Sequence, residues 1–481
     1  MTAVSTNRSE PLLLHGHDQR PAARRLLLVS YHFPPSQEVG ALRWGKFAKF
    51  AIERDWALDV ITLDPIGRTA LDRGSLEELP AGVRVYGVPE RVLPLDRLGQ
   101  HVLALRRRVR AEGDAGAAAT PTTHRPESLT QKELGSPFRS ARDALRAFHA
   151  WRDYARSGSW SRRAETAAHR LLGGVRYQAV VSCGPPHMVH AAGRRIARAR
   201  HVPFIMDLRD LWSLVSRVPE TVASSVWRFL ARHYERQAVR DAALIITNTD
   251  PSRLTMQTHY PGASERIIAI WNGYDEEPEA ASQHGSCFVI AYAGSIYLDR
   301  DPRPLFRAAA RVIRECRLAP DQLRLEFMGE IAGYGGTALA TIASEEGVGE
   351  FVRVHAAGTR AEAMAFMARA AMLVSLPLDR DADTAFPAKI FEYARFDAWL
   401  LALAEHGGAT ELVLGGTGAD VIPPRDVDAI AAVLRTRYLA YASGARPQRP
   451  HLTDTFSRRS QAHRLFDEIE RCLRARQDSP A

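Results

Sequence analysis

Short runs of aliphatic and β-branched residues alternate with longer stretches in which apolar positions recur every three or four residues, and the alternation runs along most of the chain. In the first half, "RLLLVSY", "LDVITLD", "VRVYGVP", "YQAVVSC", "PFIMDL", "ALIITNT" and "RIIAIWN" predict strands. Between them, "ALRWGKFAKFAIERD" and "HMVHAAGRRIARARH" predict helices. The pattern restarts at "CFVIAYAGS" and continues through "LRLEFMG", "FVRVHA", "AMLVSLPL", "WLLALAE" and "ADVIP". Nearly continuous apolar strands separated by helices belong to parallel sheets covered on both faces. The predicted class is α/β, with two Rossmann-like, doubly wound domains facing each other across a cleft and ligands at the carboxyl ends of the strands.

The same pattern sets the expected boundaries. Residues 1–22 are polar and proline-punctuated, the composition of a mobile tail. The first domain then covers 23–274, and the acidic, small-residue join "DEEPEAASQHGS" at 275–286 reads as a linker. The second domain covers 287–445, and a final helix is expected within 452–478, opened by an Asp/Thr cap. Residues of about 95–170 break the rhythm and read as a basic insertion, disordered through "EGDAGAAATPTTHRPES" and partly helical on either side.

Composition narrows the classes. With 481 residues, 46% hydrophobic and 25% charged, the chain has the make-up of a globular protein with full cores. Its four cysteines form no CxxC pair, which argues against a disulfide scaffold or structural zinc and fits a reducing cytoplasm. No apolar run approaches the roughly 18–20 residues that span a bilayer, and "RRLLLVSYHFPP" is too short for a secretory core and reads as a first strand. Of the net charge of +9, residues 101–170 supply +7, from 14 Lys+Arg against 7 Asp+Glu. That stretch has two readings: a solvated basic insertion, or a patch lying against anionic lipid or a lipid-linked acceptor at the inner face of the plasma membrane. Aromatic residues interleave it too thinly for nucleic acid. Lysine occurs only at Lys46, Lys49, Lys132 and Lys389, so a lysine at 389 is conspicuous in an arginine-rich chain.

Candidate chemistry gathers at predicted strand ends. Gly40 opens the helix after the first strand, where a glycine admits a ligand phosphate or hydroxyl; a plain tight turn is the alternative. "PFIMDLRDLWS" delivers Asp207, Arg209 and Asp210 to the cleft, an aspartate to orient or deprotonate a hydroxyl and an arginine to meet an anion, unless the charges pair with one another. His187 in "CGPPH" is a candidate proton carrier, or a structural histidine at a helix start. In the second half, "YAGSIYLDRDPRPL" offers the Gly294–Ser295 turn with Arg300 and Arg303 as a diphosphate clamp, and Gly329 ends the next strand. In "TAFPAKIFEYARF", Pro387 suits a first helical turn, Lys389 meets phosphate at the positive end of the helix, and Glu392 accepts from a vicinal diol such as ribose. A surface ion pair between the two is the bland version. No GxGxxG supports dinucleotide binding.

Taken together, "YHFPPSQEVGALRW", "VVSCGPPH", "PFIMDLRDLW", "ALIITNTDPSRLTMQTHYP", "IAIWNGYD", "YAGSIY" and "FPAKIFEYARF" resemble the GT-B-fold glycosyltransferases, in particular bacterial members akin to glycosyltransferase family four. The likeness runs from about 25 to 440. It implies an acceptor-binding first domain, here with Gly40, Arg43 and His187, and a second domain that binds a nucleotide-diphosphate sugar. It also implies a last helix returning to the first domain, and transfer without a metal or other cofactor, in keeping with the lack of a DxD motif. Glu392 matches the glutamate that holds the ribose hydroxyls, and Gly294, Ser295 and Arg300 or Arg303 match the glycine turn and its phosphate contact. The family's other glutamate, eight residues earlier, is Thr384 here, with Asp381 and Asp383 nearby. "DLRDLW" likewise replaces a histidine-containing sequence. A sugar-nucleotide epimerase on the same architecture and a donor-binding partner subunit without turnover are the competing readings.

Overall fold

The computed structural model describes residues 11–16, 24–66, 71–72, 74–90, 128–130, 140–215, 217–275, 283–296, 300–331, 333–377 and 384–477. The first sheet contains Leu12–His15 (β1), Arg24–Ser30 (β2), Trp56–Leu63 (β3), Val83–Val88 (β4), Ala179–Gly184 (β5), Phe204–Leu208 (β6), Leu244–Thr247 (β7) and Ile267–Ala269 (β8). Its order is β1-β4-β3-β2-β5-β6-β7-β8, parallel throughout except for β1. The chain leaves β2 towards β3 on one side and later enters β5 on the other, so the carboxyl ends of β2 and β5 flank a topological switch point. The second sheet repeats the scheme with Phe288–Ala293 (β9), Leu323–Met328 (β10), Val352–His355 (β11), Met372–Ser375 (β12), Trp399–Leu403 (β13) and Asp420–Ile422 (β14). Its order is β11-β10-β9-β12-β13-β14, with the switch point between β9 and β12.

The apolar run Leu26–Val29 shows why the first sheet is covered twice. Side chains alternate between faces, and all four are fully buried. Leu27 and Val29 join a cluster with Trp160, Ile196 and Met256; Leu26 and Leu28 join one with Phe47, Leu465 and Phe466. The two clusters draw their helical residues from Val39–Glu53 (α1), Ala141–Leu171 (α2), Val189–Ala199 (α3), Ser225–Asp241 (α4), Asp250–His259 (α5) and the final helix, Arg458–Gln477. Ser140, Ser224 and Thr249 cap α2, α4 and α5 by accepting a backbone N–H of the first turn.

The last helix crosses back onto the first domain. Ala462, Leu465, Phe466 and Ile469 form an i, i+3, i+4, i+7 stripe against α1 and the sheet, each large side chain worth about 1.5–3 kcal/mol of burial. Trp56 stacks on Phe466 and donates to Glu470 at 3.1 Å. Trp271 packs edge-on against Phe386 and Phe456, so one apolar cluster ties the crossing segment to the second domain.

Three boundaries differ from the sequence reading. Leu12–His15, placed in a mobile tail, pairs antiparallel with β4, because a sheet edge completes a run too short to signal by itself. Ala141–Leu171, read as a partly helical flank of the insertion, is one continuous helix packed into the first domain, where it buries Trp160, Ala164, Ala167 and Ala168. Alanine-rich burial leaves a weak hydrophobic signal, which is why the stretch read as a basic appendage. At the join, Asp275 is anchored by Lys46 and Arg458, while 276–282 and most of 95–139 lie outside the described residues.

Candidate active site

The second domain's rim is built at the end of β9. Gly294 follows with φ +136°, and a Cβ there would lie 2.5 Å from the Lys389 ammonium. Glycine is therefore required both by backbone conformation and by the approach of a cation. Gly329, at the end of β10, packs its backbone against Gly294. Lys389 opens a helix of five residues, Lys389–Tyr393 (α7). Its Nζ donates to the Ala293 carbonyl at 3.0 Å and lies 4.0 Å from the centre of the Tyr292 ring. Tyr393 closes the same spot, accepting from the Ala293 N–H and donating to its carbonyl. Among the described residues, no carboxylate lies within ion-pair distance of Lys389. Burial, reinforced by Arg300, holds its ammonium well below the usual lysine range, with Glu392 opposing. A cation that pays desolvation without a carboxylate partner is suited to an arriving anion.

Arg300 is nearly buried and donates to the Ser295 carbonyl at 2.7 Å, which places its guanidinium beside the Gly294–Ser295 turn. Arg303, in Arg303–Cys316 (α6), instead bonds Asp301 at 3.2 Å and lies over the Tyr334 ring. Glu392 is half-buried one turn beyond Lys389, and Arg360 reaches it at 3.3 Å. Arg360 was not legible as a site residue, since 32 positions separate it from Glu392 and only the meeting of two strand-end loops joins them. Lys389, Glu392, Gly294, Ser295, Gly329 and Arg300 thus share one rim, with Arg303 turned to its own ion pair.

The first domain's rim is organised differently. Asp207 is fully buried and accepts from Arg43 Nε at 3.0 Å, Arg43 Nη2 at 3.1 Å and Trp44 Nε1 at 2.7 Å. Arg43, itself nearly buried, also donates to Asn272 at 3.0 Å. Asp207, expected to orient or deprotonate a hydroxyl, and Arg43, expected on the acceptor side, are thus engaged with each other in one bidentate pair that links α1 to β6. Arg209 folds back to donate to the carbonyls of Gly184 and Pro185. A Cβ on Gly40 would overlap that guanidinium, so Gly40 is small in order to seat Arg209.

Asp210 is the rim carboxylate that stays open to solvent. The protein crowding around it raises its carboxyl above the ordinary range, with Arg209 pulling the other way. His187 stacks on Trp212 at 5.1 Å, and its Nδ1 is buried with no partner among the described residues. Burial, His190 and Arg209 all lower its pKa, so the ring is neutral near pH 7. Behind the loop, buried Glu235 accepts from the Ser213 N–H, the Ser213 hydroxyl and the Tyr260 hydroxyl, fixing the turn that carries Asp210.

The two rims meet at Thr384. Its carbonyl accepts from the side chains of Thr249 and Ser252 at the start of α5, a direct bond between domains. Among the described residues, no group of three or more His, Cys, Asp or Glu side chains could hold a metal ion.

No protein-family profile matches the chain. Two solved structures match nearly its whole length: TarM, with TM-score 0.56, 9% identity and 93% of this chain against 99% of that one, and the catalytic domain of starch synthase IV from Arabidopsis thaliana, with TM-score 0.51, 9% identity and 94% against 99%. The fold is GT-B. The GT-B cleft runs between the rims just described, and the starch synthase structure holds ADP and acarbose. In sequence, the chain is 27% identical over 232 residues to D-inositol 3-phosphate glycosyltransferase 1 of Catenulispora acidiphila. The match takes in 44% of this chain and spans about half (55%) of that relative's length.

Proposed function

We propose that this GT-B protein is a glycosyltransferase that moves a sugar from a nucleotide-diphosphate donor to a hydroxyl acceptor. The observation that carries the reading is Lys389: a buried ammonium bonded to a carbonyl, without a carboxylate, at the second domain's switch point and one turn from Glu392. In the proposed complex, Lys389 and Arg300 bind the diphosphate and Glu392 accepts from the ribose diol. Each charge-assisted hydrogen bond of this kind contributes about 1.5–3 kcal/mol. The likeness to a named glycosyltransferase supports the same assignment.

The acceptor enters along the first domain's rim. Its hydroxyl oxygen attacks the anomeric carbon as the carbon–oxygen bond to the diphosphate breaks, and the electron pair leaves with the diphosphate. Lys389 and Arg300 stabilise the growing phosphate charge, the role that otherwise falls to a metal. Asp210 takes the hydroxyl proton, and its raised pKa brings it closer to working pH. His187 offers a neutral Nδ1 to an acceptor hydroxyl. A cytoplasmic location and a lipid-linked acceptor complete the reading, the latter using the basic stretch 101–170, of which 128–130 and 140–170 lie among the described residues.

The test is to incubate the protein with UDP-, GDP- and ADP-sugars and follow nucleotide release with and without a panel of hydroxyl acceptors. Acceptor-dependent release, abolished in Lys389→Met, is the expected result. An epimerised sugar formed without acceptor would replace transfer with epimerisation. Tight nucleotide binding with no product from any pair would make the chain a donor-binding partner.

A further inference from the structure

The outward face of α4 carries charge that the cleft does not use. Phe229, Arg232, His233, Arg236 and Arg240 are exposed along it, whereas Ala231, Glu235, Ala238 and Val239 turn inward. Phe229 is 67% exposed, high for a phenylalanine on an otherwise cationic helix. Arg240 is engaged by Asp241, which Arg194 also holds. Arg232 and Arg236 are paired with no carboxylate among the described residues.

Beside α4 lies α2, joined to it by the stack of Tyr154 on Tyr234 and by the pairing of Arg146 with Glu220 just before α4. The first turns of α2 expose Leu145 (56%), Phe148 (42%) and Trp151 (48%), spaced three residues apart on one ridge. The Phe148 and Trp151 rings are 6.1 Å apart. No cleft chemistry calls for these side chains, and large apolar residues grouped on a surface mark an interaction site.

From these two helices we infer that this face docks on an anionic lipid bilayer. A soluble polyanion would satisfy the arginines and leave the aromatic ridge in water. A neutral protein groove would cover the ridge and strand the guanidinium groups. The headgroup region of an anionic membrane accepts both, with arginines at the phosphates and Phe, Trp and Leu at the acyl boundary. Asp153 is exposed on α2, and Asp143 and Glu220 share the single cation of Arg146, so the acidic residues of this region offset part of the positive charge. On α2 the surface falls within the basic stretch 101–170, and α4 extends it beyond that stretch; no helix among the described residues is long and apolar enough to cross the membrane. Contact is thus peripheral and reversible.

The inference stands apart from the proposed transfer chemistry, because vesicle flotation reads binding without turnover. The full chain is floated with phosphatidylcholine vesicles that contain or lack phosphatidylglycerol. The wild type should float with anionic vesicles only, and added salt should release it. The Arg232→Gln/Arg236→Gln double variant should lower partitioning about 25-fold, from about fivefold per arginine. Trp151→Ser/Phe229→Ser should lower it at least about tenfold, with unchanged binding to double-stranded DNA, a polyanion without an apolar phase. Thermal midpoints equal to wild type confirm that these exposed changes leave the fold intact. Equal partitioning into both vesicle types, or none, overturns the inference. So does full lipid binding by the aromatic variant alongside its loss in the arginine variant, which would make the face a polyanion site.

Discussion

The two rims of the cleft are both lined by charges at strand ends, yet they dispose of them in opposite ways. In the first domain, Asp207 and Arg43 neutralise each other in full burial, and Arg209 spends its donors on the Gly184 and Pro185 carbonyls. In the second, the buried Lys389 meets the Ala293 carbonyl and an aromatic face, and no carboxylate among the described residues pairs with it. Charge that is matched internally builds a scaffold. Charge that is desolvated and left unmatched is held ready for a ligand of opposite sign. On the proposed reading the Asp207 group is scaffold and the Lys389 group binds the anion, although both looked alike as sequence.

The largest effect expected from breaking this comparison is at Asp207. Asp207→Ala leaves Arg43 buried without its partner, and urea unfolding should show a loss of about 3–5 kcal/mol. A variant that stays fully stable but loses turnover would restore Asp207 as a base. Gly294→Ala comes next, because it combines a positive φ with a Cβ in the Lys389 pocket. It should cost about 1–3 kcal/mol in the same measurement and displace the ammonium, weakening nucleotide affinity as well.

The pH dependence sharpens the same point. The folded-state pKa of Lys389 lies below that of an exposed lysine, so the unfolded chain holds more protons between the two values. Stability of the free protein should therefore rise as pH climbs from the folded value towards about 10.4. Diphosphate affinity needs the cation and should fall over the same window. Melting and titration across this range should show both trends, and Lys389→Met should flatten both. The smallest effect is at Arg360, whose pair with Glu392 is exposed: Arg360→Ala should change stability by less than about 1 kcal/mol.

Much of the architecture was legible. The strands β2 to β14 sit where the apolar runs predicted them, because buried parallel strands must be apolar on both faces. The edge strand Leu12–His15 was not, since its stability comes from β4 rather than from its own residues. Nor was the packing of α2, whose contacts rest on Ala164, Ala167 and Ala168. At the site, the glycine turn, Arg300, Lys389 and Glu392 were visible because a cation and a carboxylate stood out against an apolar helix start. The burial of Asp207 was invisible, because its partners Arg43 and Trp44 lie 164 and 163 positions away and only the fold joins them. A charge at a strand end says where a side chain arrives, and only the packing says whether it is already spent. Thr384 makes the same point: in place of a glutamate stands a residue whose carbonyl bonds the other domain.

The central claim is that the second domain's rim binds a nucleoside diphosphate through Lys389 and Glu392. Titration calorimetry with UDP, GDP and ADP on wild type, Lys389→Met and Glu392→Ala tests it most directly. The account predicts that one nucleotide binds the wild type, and that each substitution weakens it by about tenfold or more, as expected for a lost charge-assisted hydrogen bond. Wild-type heat for no nucleotide, or affinity unchanged in both variants, would contradict it.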